Sequence, residues 1–149
     1  MINEAKKIVK NSKNLFVGSM DDLPFNKNKF DIIVGRFSLH YLKNLNRVYE
    51  EFNRVLKKGG SLIIVAHHPL LGFMQLGAKN YILQDNIKMN LYDNNVEINF
   101  PHHTIKDYFS ETFFKYFTLD YLTEEGTEDA EYPNQWKIPG FIAFRAIKR

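Results

Sequence analysis

Residues 30–66 read FDIIVGRFSLHYLKNLNRVYEEFNRVLKKGGSLIIVA, and this stretch decides the fold class. The segments at 30–35 and 61–66 are nearly continuous apolar runs, which are typical of strands covered on both faces. Between them, over 42–57, apolar residues recur every three or four positions, the spacing of an amphipathic helix. Strand, helix and strand in this order predict one βαβ unit, with parallel strands and a right-handed crossover.

Two glycines separate the predicted helix from the second strand. Gly59 and Gly60 follow Leu56, the last apolar position of the helical pattern, after two lysines. Glycine adopts the left-handed conformation that commonly ends a helix at little cost. We therefore expect the helix to run to residue 57 and to end at this glycine pair.

The pattern outside this unit predicts further elements. Apolar spacing predicts a helix at the N-terminus, and alternation or short apolar runs predict three more strands. Thr104, with Asp107 three residues on, has the pattern of a helix N-cap. The predicted ranges are a helix over 2–11, a strand over 14–19, a turn over 21–25, a helical lid over 70–83, a strand over 117–123, a loop over 124–136 and a strand over 140–147.

Composition bounds the class of protein. Of the 149 residues, 44% are hydrophobic and 25% are charged, the balance of a soluble globular protein, and the length predicts a single domain over 1–149. No stretch approaches the roughly 20 apolar residues that cross a bilayer. Cysteine is absent, which excludes disulfides and thiolate metal sites and agrees with a reducing compartment, so we expect a cytoplasmic protein.

The charge pattern bears on partners. The formal net charge is +3, and its lysines are scattered rather than grouped in a run. This favours a solvated surface over a nucleic-acid-binding patch. We predict neither a nucleic acid nor a membrane as partner.

From Gly18 to Gly60 the chain resembles one family, the class I S-adenosylmethionine-dependent methyltransferases of small-molecule type. The family has an acidic turn ending Leu-Pro-Phe, then Phe-Asp at a strand, then a helix ending Arg-Val-Leu-Lys-Pro-Gly-Gly before an apolar strand. The residues that match are Leu23, Pro24, Phe25, Phe30, Asp31, Arg54, Val55, Leu56, Lys57, Gly59 and Gly60. The segment TIKDYF and the tail PGFIAFRAIKR are similar to one bacterial branch of the family.

The resemblance implies a Rossmann-like α/β fold with strand order 3-2-1-4-5-7-6, a mostly parallel sheet and an antiparallel C-terminal strand. On this map 30–35 is strand 4, 61–66 is strand 5, and the two C-terminal strands are 6 and 7. Strands 1 and 2, and the glycine-rich loop between them, have no counterpart in the sequence. We therefore expect a truncated or degenerate domain that corresponds to the C-terminal part of the family fold.

The family resemblance also implies S-adenosylmethionine as cofactor and places its adenine beside the segment after strand 3. Gly18, Ser19, Met20 and Asp21 hold those positions. Ser19 stands where the family often has an aspartate, and Asp21 or Asp22 either replaces that acid or caps the turn. Without the glycine-rich loop we expect the chain alone to bind the cofactor weakly or not at all.

Arg36 and Ser38 follow strand 4, where the resemblance places the methionine end of the cofactor. Arg36 either pairs with the cofactor carboxylate or is an ordinary surface arginine. His40 lies just beyond, where family members often carry a histidine near the active centre. Its unperturbed pKa suits a catalytic base, and packing is the alternative role.

The remaining histidines form two adjacent pairs. His68 and His103 are candidates for contact with the methyl acceptor, a small molecule that the sequence does not name. Neighbouring histidines on extended chain point to opposite faces, and no suitably spaced acid or cysteine accompanies them, so we predict no metal site.

Loss of strand 1 would leave strand 4 as an apolar edge with unpaired backbone groups. We expect either that 14–19 moves beside 30–35, or that two copies pair there as a homo-oligomer or dimer. The sequence supports two candidate functions for this chain. One is methyl transfer to a small molecule, and the other is a non-catalytic, methyltransferase-like protein that dimerises or binds a partner.

Overall fold

The predicted βαβ unit is present. The computed structural model describes residues 2–9, 12–74, 79–83, 85–91, 96–126 and 138–149. Its helices and strands are α1 (Ile2–Ile8), β1 (Phe30–Arg36), α2 (Leu45–Val55), β2 (Leu56–His67), α3 (Pro69–Met74), β3 (Asn86–Leu91), β4 (Val96–Pro101), α4 (Ile105–Tyr108), α5 (Glu111–Tyr116), β5 (Phe117–Glu125) and β6 (Phe141–Lys148). Short 3-10 helices lie at Ser12–Asn14 and Leu39–Tyr41.

Four strands form the main sheet in the order β1-β2-β6-β5. Strands β1 and β2 pair in parallel, and β6 is antiparallel to both β2 and β5. Three strands therefore run in one direction and the C-terminal strand runs in the other, which confirms the predicted α/β class. The order corresponds to positions 4-5-7-6 of the arrangement that the resemblance implies.

One face of this sheet carries the main core. Helices α2 and α5 cover that face, and the side chains beneath them are fully or almost fully buried. At the centre are Val48, Tyr49, Leu62, Ile64, Phe113, Phe117 and Phe144. The opposite face of β1 presents Ile32 and Val34, whose exposed fractions are 57% and 68%.

Helix α2 is shorter than the predicted helix over 42–57, because it begins at Leu45, after an Asn44 cap that was not predicted, and ends at Val55. The Asn44 side chain accepts a hydrogen bond from the Arg47 amide, N···O 3.2 Å. The helix ends at Val55, so the prediction that the glycine pair ends it is wrong. Both glycines lie within strand β2 instead.

The glycine pair belongs to a bulge between the two parallel strands. The register pairs Phe30 with Leu56 and Ile32 with Ser61, so residues 57–60 stand opposite Asp31 alone. Gly59 has a φ of +73°, the left-handed region that glycine tolerates. The left-handed conformation, which the local pattern predicts at a helix cap, is therefore found in the pairing of the two strands instead.

The predicted strand over 14–19 is absent. Residues 15–18 have no regular structure, and Ser19 forms only an isolated bridge with Asp22. The expectation that this segment moves beside 30–35 is also wrong, because β2 is the only strand paired with β1 in the described sheet. A strand needs a neighbour for its backbone groups, and this segment has none.

The region between the βαβ unit and the C-terminal half contains more structure than predicted. Of the helical lid predicted over 70–83, the residues up to Met74 belong to helix α3, and residues 79–83 are not helical. Strands β3 and β4 form an antiparallel hairpin that the sequence reading missed. Residues 75–78 of the predicted lid lie outside the described residues.

The C-terminal half matches the prediction more closely. Thr104 caps α4, and its side chain and that of Asp107 form the reciprocal pair of a capping box. Strands β5 and β6 cover the two predicted strands, although β5 extends into the predicted loop as far as Glu125. Residues 127–136 of that loop lie outside the described residues. Among the described helices, none combines the length and apolarity needed to cross a membrane.

Candidate functional site

A tight turn holds the residues predicted to meet the adenine. The Asp22 amide donates to the Ser19 carbonyl, N···O 3.1 Å, and the Ser19 hydroxyl donates to the Asp21 carboxylate. Met20 is partly buried against the main core. Residues 18–22 thus form one turn, in which the Asp21 carboxylate accepts from the side chain of Ser19.

A second candidate segment, 36–38, lies at the carboxyl end of β1. Phe37 has a φ of +46°, unusual for a residue with a side chain, and its amide donates to the Val65 carbonyl, N···O 2.7 Å. The Ser38 carbonyl then accepts from the Tyr41 amide as the 3-10 helix begins. At this change of chain direction the Arg36 side chain is exposed. Its guanidinium carbon lies 5.4 Å from the centre of the Phe37 ring.

These two groups stay separate. No hydrogen bond, ion pair or ring contact among the described residues joins 18–21 to 36–38. Each group nevertheless contacts the βαβ unit. Residues 18–21 do so through Met20, which packs against the main core, and residues 36–38 do so through the hydrogen bond from the Phe37 amide to β2. The carboxyl ends of adjacent parallel strands are the usual ligand-binding edge of an open α/β sheet.

All five histidines of the chain line one small cavity beside that edge. Its volume is about 10 Å³, close to the minimum that one water molecule needs. The predicted residues His40, His68 and His103 therefore lie together. The cavity is lined by His40, His67, His68, Pro69, Gly72, Ile87, Phe100, Pro101, His102, His103 and Tyr108.

His40 lies in the most apolar part of this cluster. Its exposed fraction is 2%, and neither ring nitrogen has a hydrogen-bond partner among the described residues. The centres of the Tyr41, His67 and Phe100 rings lie 4.4, 4.6 and 4.8 Å from its own. Burial, followed by the nearby His67 and His103, lowers the pKa of His40 to about 3. At neutral pH its ring is uncharged and is a hydrogen-bond acceptor rather than a strong base.

His68 is fully engaged by its neighbours. Its Nδ1 accepts from the Leu70 amide, N···N 3.1 Å, so the ring proton lies on Nε2, which donates to Glu124, N···O 2.7 Å. This pair joins the start of α3 to the end of β5.

His103 is hydrogen-bonded to the backbone of Leu42 and His40, and burial lowers its pKa. Both predicted acceptor-side histidines therefore help to build the cavity wall.

The sequence reading missed the part played by His67 and His102. His67 stacks on Phe100 with ring centres 5.8 Å apart, and His102 Nε2 is hydrogen-bonded to the Tyr81 carbonyl, N···O 3.1 Å. Strand β4 brings Phe100 and the second histidine pair to the cavity. The alternation of apolar residues in NIKMNL (86–91) and VEINFP (96–101) is the signal that predicts this hairpin.

Burial favours the neutral form of four of the five histidines. Burial lowers the pKa values of His40, His67, His102 and His103, so neutral rings predominate at pH 7. In the portions of the chain that the structure describes, no group of three or more His, Cys, Asp or Glu side chains is arranged to hold a metal ion. This arrangement can accept and donate hydrogen bonds in a buried, largely aromatic surrounding.

A family comparison matches the N-terminal part of the chain, which contributes β1 and most of β2. Residues 1–64 match the family model described as "Methyltransferase domain". The matched residues make up less than half of the 149-residue chain, so the match shows a similarity to methyltransferase domains over its N-terminal part. The matched segment includes the 18–22 turn, the end of β1 and His40.

Solved structures of methyltransferases have the same fold. A Listeria monocytogenes protein assigned as an S-adenosylmethionine-dependent methyltransferase superposes with a TM-score of 0.77 at 18% identity, over 100% of this chain and 76% of that one. An S-adenosylmethionine-dependent methyltransferase from Mesorhizobium loti gives a TM-score of 0.68 at 18% identity, over 89% of this chain and 68% of that one. At this identity the likeness establishes the class I methyltransferase fold.

Curated relatives align over shorter stretches. An uncharacterized Escherichia coli protein, YafE, is 42% identical over 48 residues, which are 32% of this chain and 23% of that protein. The Caenorhabditis elegans sterol 4-C-methyltransferase strm-1 is 43% identical over 42 residues, 28% of this chain and 13% of that protein. The chain therefore aligns with less than a quarter of the length of either relative.

Proposed function

We propose that this chain takes part in S-adenosylmethionine-dependent methyl transfer to a small molecule, within a single domain over 1–149. The observation that carries the proposal is the meeting of 36–38 and the histidine cavity at the carboxyl edge of the parallel strands. Residues 36–38 and His40 lie within the stretch matched by the methyltransferase family model, and the other four histidines of the cavity lie outside it. When bound, S-adenosylmethionine supplies an activated methyl group, so the protein mainly provides proximity and orientation.

The residues present fit such a cofactor. Ser19 and Asp21 offer adjacent oxygen acceptors for the adenine amine, with Gly18 and Met20 beside them, and exposed Arg36 offers a cation for the cofactor carboxylate. Ser38, two residues after Arg36, adds a hydroxyl group at the same edge of the sheet.

His40, His68 and His103 form the acceptor side in this proposal. Because His40 stays neutral, it would orient the nucleophile by accepting a hydrogen bond. His68 and His103 would hold the wall against which the acceptor binds. The small-molecule assignment draws on the resemblance and on strm-1, which is described as a sterol methyltransferase.

A titration with S-adenosylhomocysteine, followed by the backbone amide signals in NMR, tests cofactor binding. We expect weak binding, with the largest shifts at 18–21 and 36–38. Arg36→Gln should weaken binding about tenfold, because one charge-assisted contact is lost. Lys88→Gln, at an exposed cation on β3, is the control. Shifts that are absent, or that fall only on distant residues, contradict the proposal.

A second candidate function, self-association, is favoured by the outer edge of β1. This edge has no strand partner in the described sheet, and it presents two exposed β-branched side chains, Ile32 and Val34. A two-fold axis perpendicular to the sheet would make the β1 strands of two copies antiparallel and would extend the sheet. The protein would then act as a non-catalytic, dimerising relative of the family.

Val34→Lys tests this alternative. We expect the parent chain to sediment as a dimer and the variant as a monomer, because a lysine on an edge strand opposes pairing with another chain. Val96→Lys, at an exposed position on β4 in the separate hairpin, should leave the dimer intact. A parent chain that stays monomeric at high concentration contradicts self-association.

A further inference from the structure

Helix α2 carries an ion pair that reaches outside the helix. The Arg54 guanidinium donates to both carboxylate oxygens of Glu51, with Nε···Oε1 2.8 Å and Nη2···Oε2 2.7 Å. The Glu51 side chain is only 10% exposed, and the Arg54 side chain is 37% exposed. Arg54, followed by the Leu23 amide, lowers the pKa of Glu51, so the carboxylate stays charged near neutral pH.

The same two side chains bind the backbone after the 18–22 turn. The Leu23 amide donates to Glu51 Oε2, N···O 3.0 Å. Arg54 Nη2 donates to the Leu23 carbonyl at 3.0 Å, and Nη1 donates to the Phe25 carbonyl at 2.6 Å. Three backbone groups in 23–25 are therefore held by one charged pair.

The held segment packs directly against the turn. A Cβ atom placed on Gly18 would lie 3.1 Å from Pro24 Cδ, so the proline ring touches the glycine backbone. Proline also restricts the residue that precedes it, Leu23, to extended conformations. The position of Gly18 thus depends on where the ion pair holds the two neighbours of Pro24.

From these contacts we infer that Glu51 and Arg54 are positioning residues for the 18–21 turn, and that they set its geometry for cofactor binding. This inference rests on the proposed function. Neither residue needs to touch the cofactor, because both act through 23–25. Lysine cannot replace Arg54, since it lacks the planar fork that contacts one carboxylate and two carbonyls together.

The same helix offers a matched control. Arg47 and Glu50 form an ion pair with the same spacing, Nη1···Oε2 3.3 Å, but both side chains are about half exposed, and among the described residues neither is hydrogen-bonded to backbone outside the helix. Arg47→Lys and Glu50→Gln therefore make the same chemical changes as Arg54→Lys and Glu51→Gln. Any loss of helix stability that comes from an ion pair alone appears in both sets.

Two measurements on the four variants test the inference. In hydrogen exchange, we expect the amides of Leu23 and Phe25 to exchange at least about tenfold faster in Arg54→Lys and Glu51→Gln, and unchanged in the controls. In NMR titration with S-adenosylhomocysteine, we expect Kd to rise about three- to tenfold in the same two variants, because the turn is no longer preorganised.

The outcomes separate this inference from the proposed function. A parent chain that binds no S-adenosylhomocysteine counts against the proposed function, and with it against any cofactor role for the ion pair. Binding by the parent with equal Kd values in Arg54→Lys and Arg47→Lys overturns the positioning role alone. Unchanged amide exchange in Arg54→Lys overturns the structural link between the ion pair and the turn.

Discussion

We expect His40→Phe to make the stability of the protein less sensitive to acid. The parent loses stability between pH 6.5 and pH 4.5, and the variant should avoid a large part of that loss. The folded protein holds His40 neutral, with a pKa of about 3 against 6.5 for an unperturbed histidine. Between these two values only the unfolded chain binds a proton at this residue, so lowering the pH favours unfolding. The contribution of His40 to stability is complete above pH 6.5 and is lost as the pH falls towards 3.

The expected change in stability is large because the pKa of His40 differs widely between the folded protein and the unfolded chain. Each pKa unit corresponds to about 1.4 kcal/mol, so His40 accounts for roughly 2 to 3 kcal/mol of the change between pH 6.5 and 4.5. Burial also lowers the pKa values of His67, His102 and His103, which adds slope with the same sign. The lowered pKa of Glu51 acts in the same direction, but only below the ordinary pKa of a carboxyl group.

Denaturant unfolding at several pH values measures this effect. Phenylalanine places an apolar ring beside Tyr41, His67 and Phe100, and the ring nitrogens it replaces have no hydrogen-bond partner among the described residues. The variant should therefore match the parent near pH 7.5 and become relatively more stable as the pH falls. Parallel stability curves for the two proteins would show that His40 is not held neutral by the fold.

Gly60→Ala is expected to destabilise the protein by about 2 to 3 kcal/mol and to lower Tm by roughly 5 to 10 °C. A Cβ atom at this position would lie 2.9 Å from the Asp31 carbonyl oxygen and 2.9 Å from the Lys57 carbonyl oxygen. Both oxygens belong to backbone in the bulge, so they cannot move as a flexible side chain could. The two parallel strands would have to separate locally.

Gly59→Ala is the matched control for this prediction. No atom lies within 4 Å of a Cβ placed on Gly59, and the cost comes only from its positive φ. We expect a loss of about 1 kcal/mol, the strain of one alanine in the left-handed region. Thermal melts of both variants decide the matter, and a greater loss for Gly59→Ala would contradict the bulge.

Much of the fold follows from local pattern. The βαβ unit over 30–66 is predictable because apolar runs and 3.6-residue spacing report which faces a segment buries. The cap at Thr104 is predictable because capping depends on residues three positions apart. The positions of Arg36, Ser38 and His40 beyond the end of β1 follow from chain order in the same way.

Other features depend on contacts between segments that are distant in sequence. Residues 14–19 have the composition of a strand, yet no strand lies beside them. The prediction for the glycine pair was wrong because its role depends on Asp31, 28 and 29 residues earlier in the chain. The hairpin β3–β4 was missed even though its alternation is visible, and with it the meeting of all five histidines.

The amino-acid sequence specifies which residues prefer strand, helix or turn, and its motifs indicate the methyltransferase family, because these properties reside in short stretches of chain. Long-range packing decides that five histidines share one small cavity, that Gly60 lies against the Asp31 and Lys57 carbonyls, and that Glu51 and Arg54 hold residues 23–25 beside the 18–22 turn. The physical reason is that burial, pKa and hydrogen-bond partners belong to the assembled surroundings of a side chain. Those surroundings are built from elements that lie far apart in the chain.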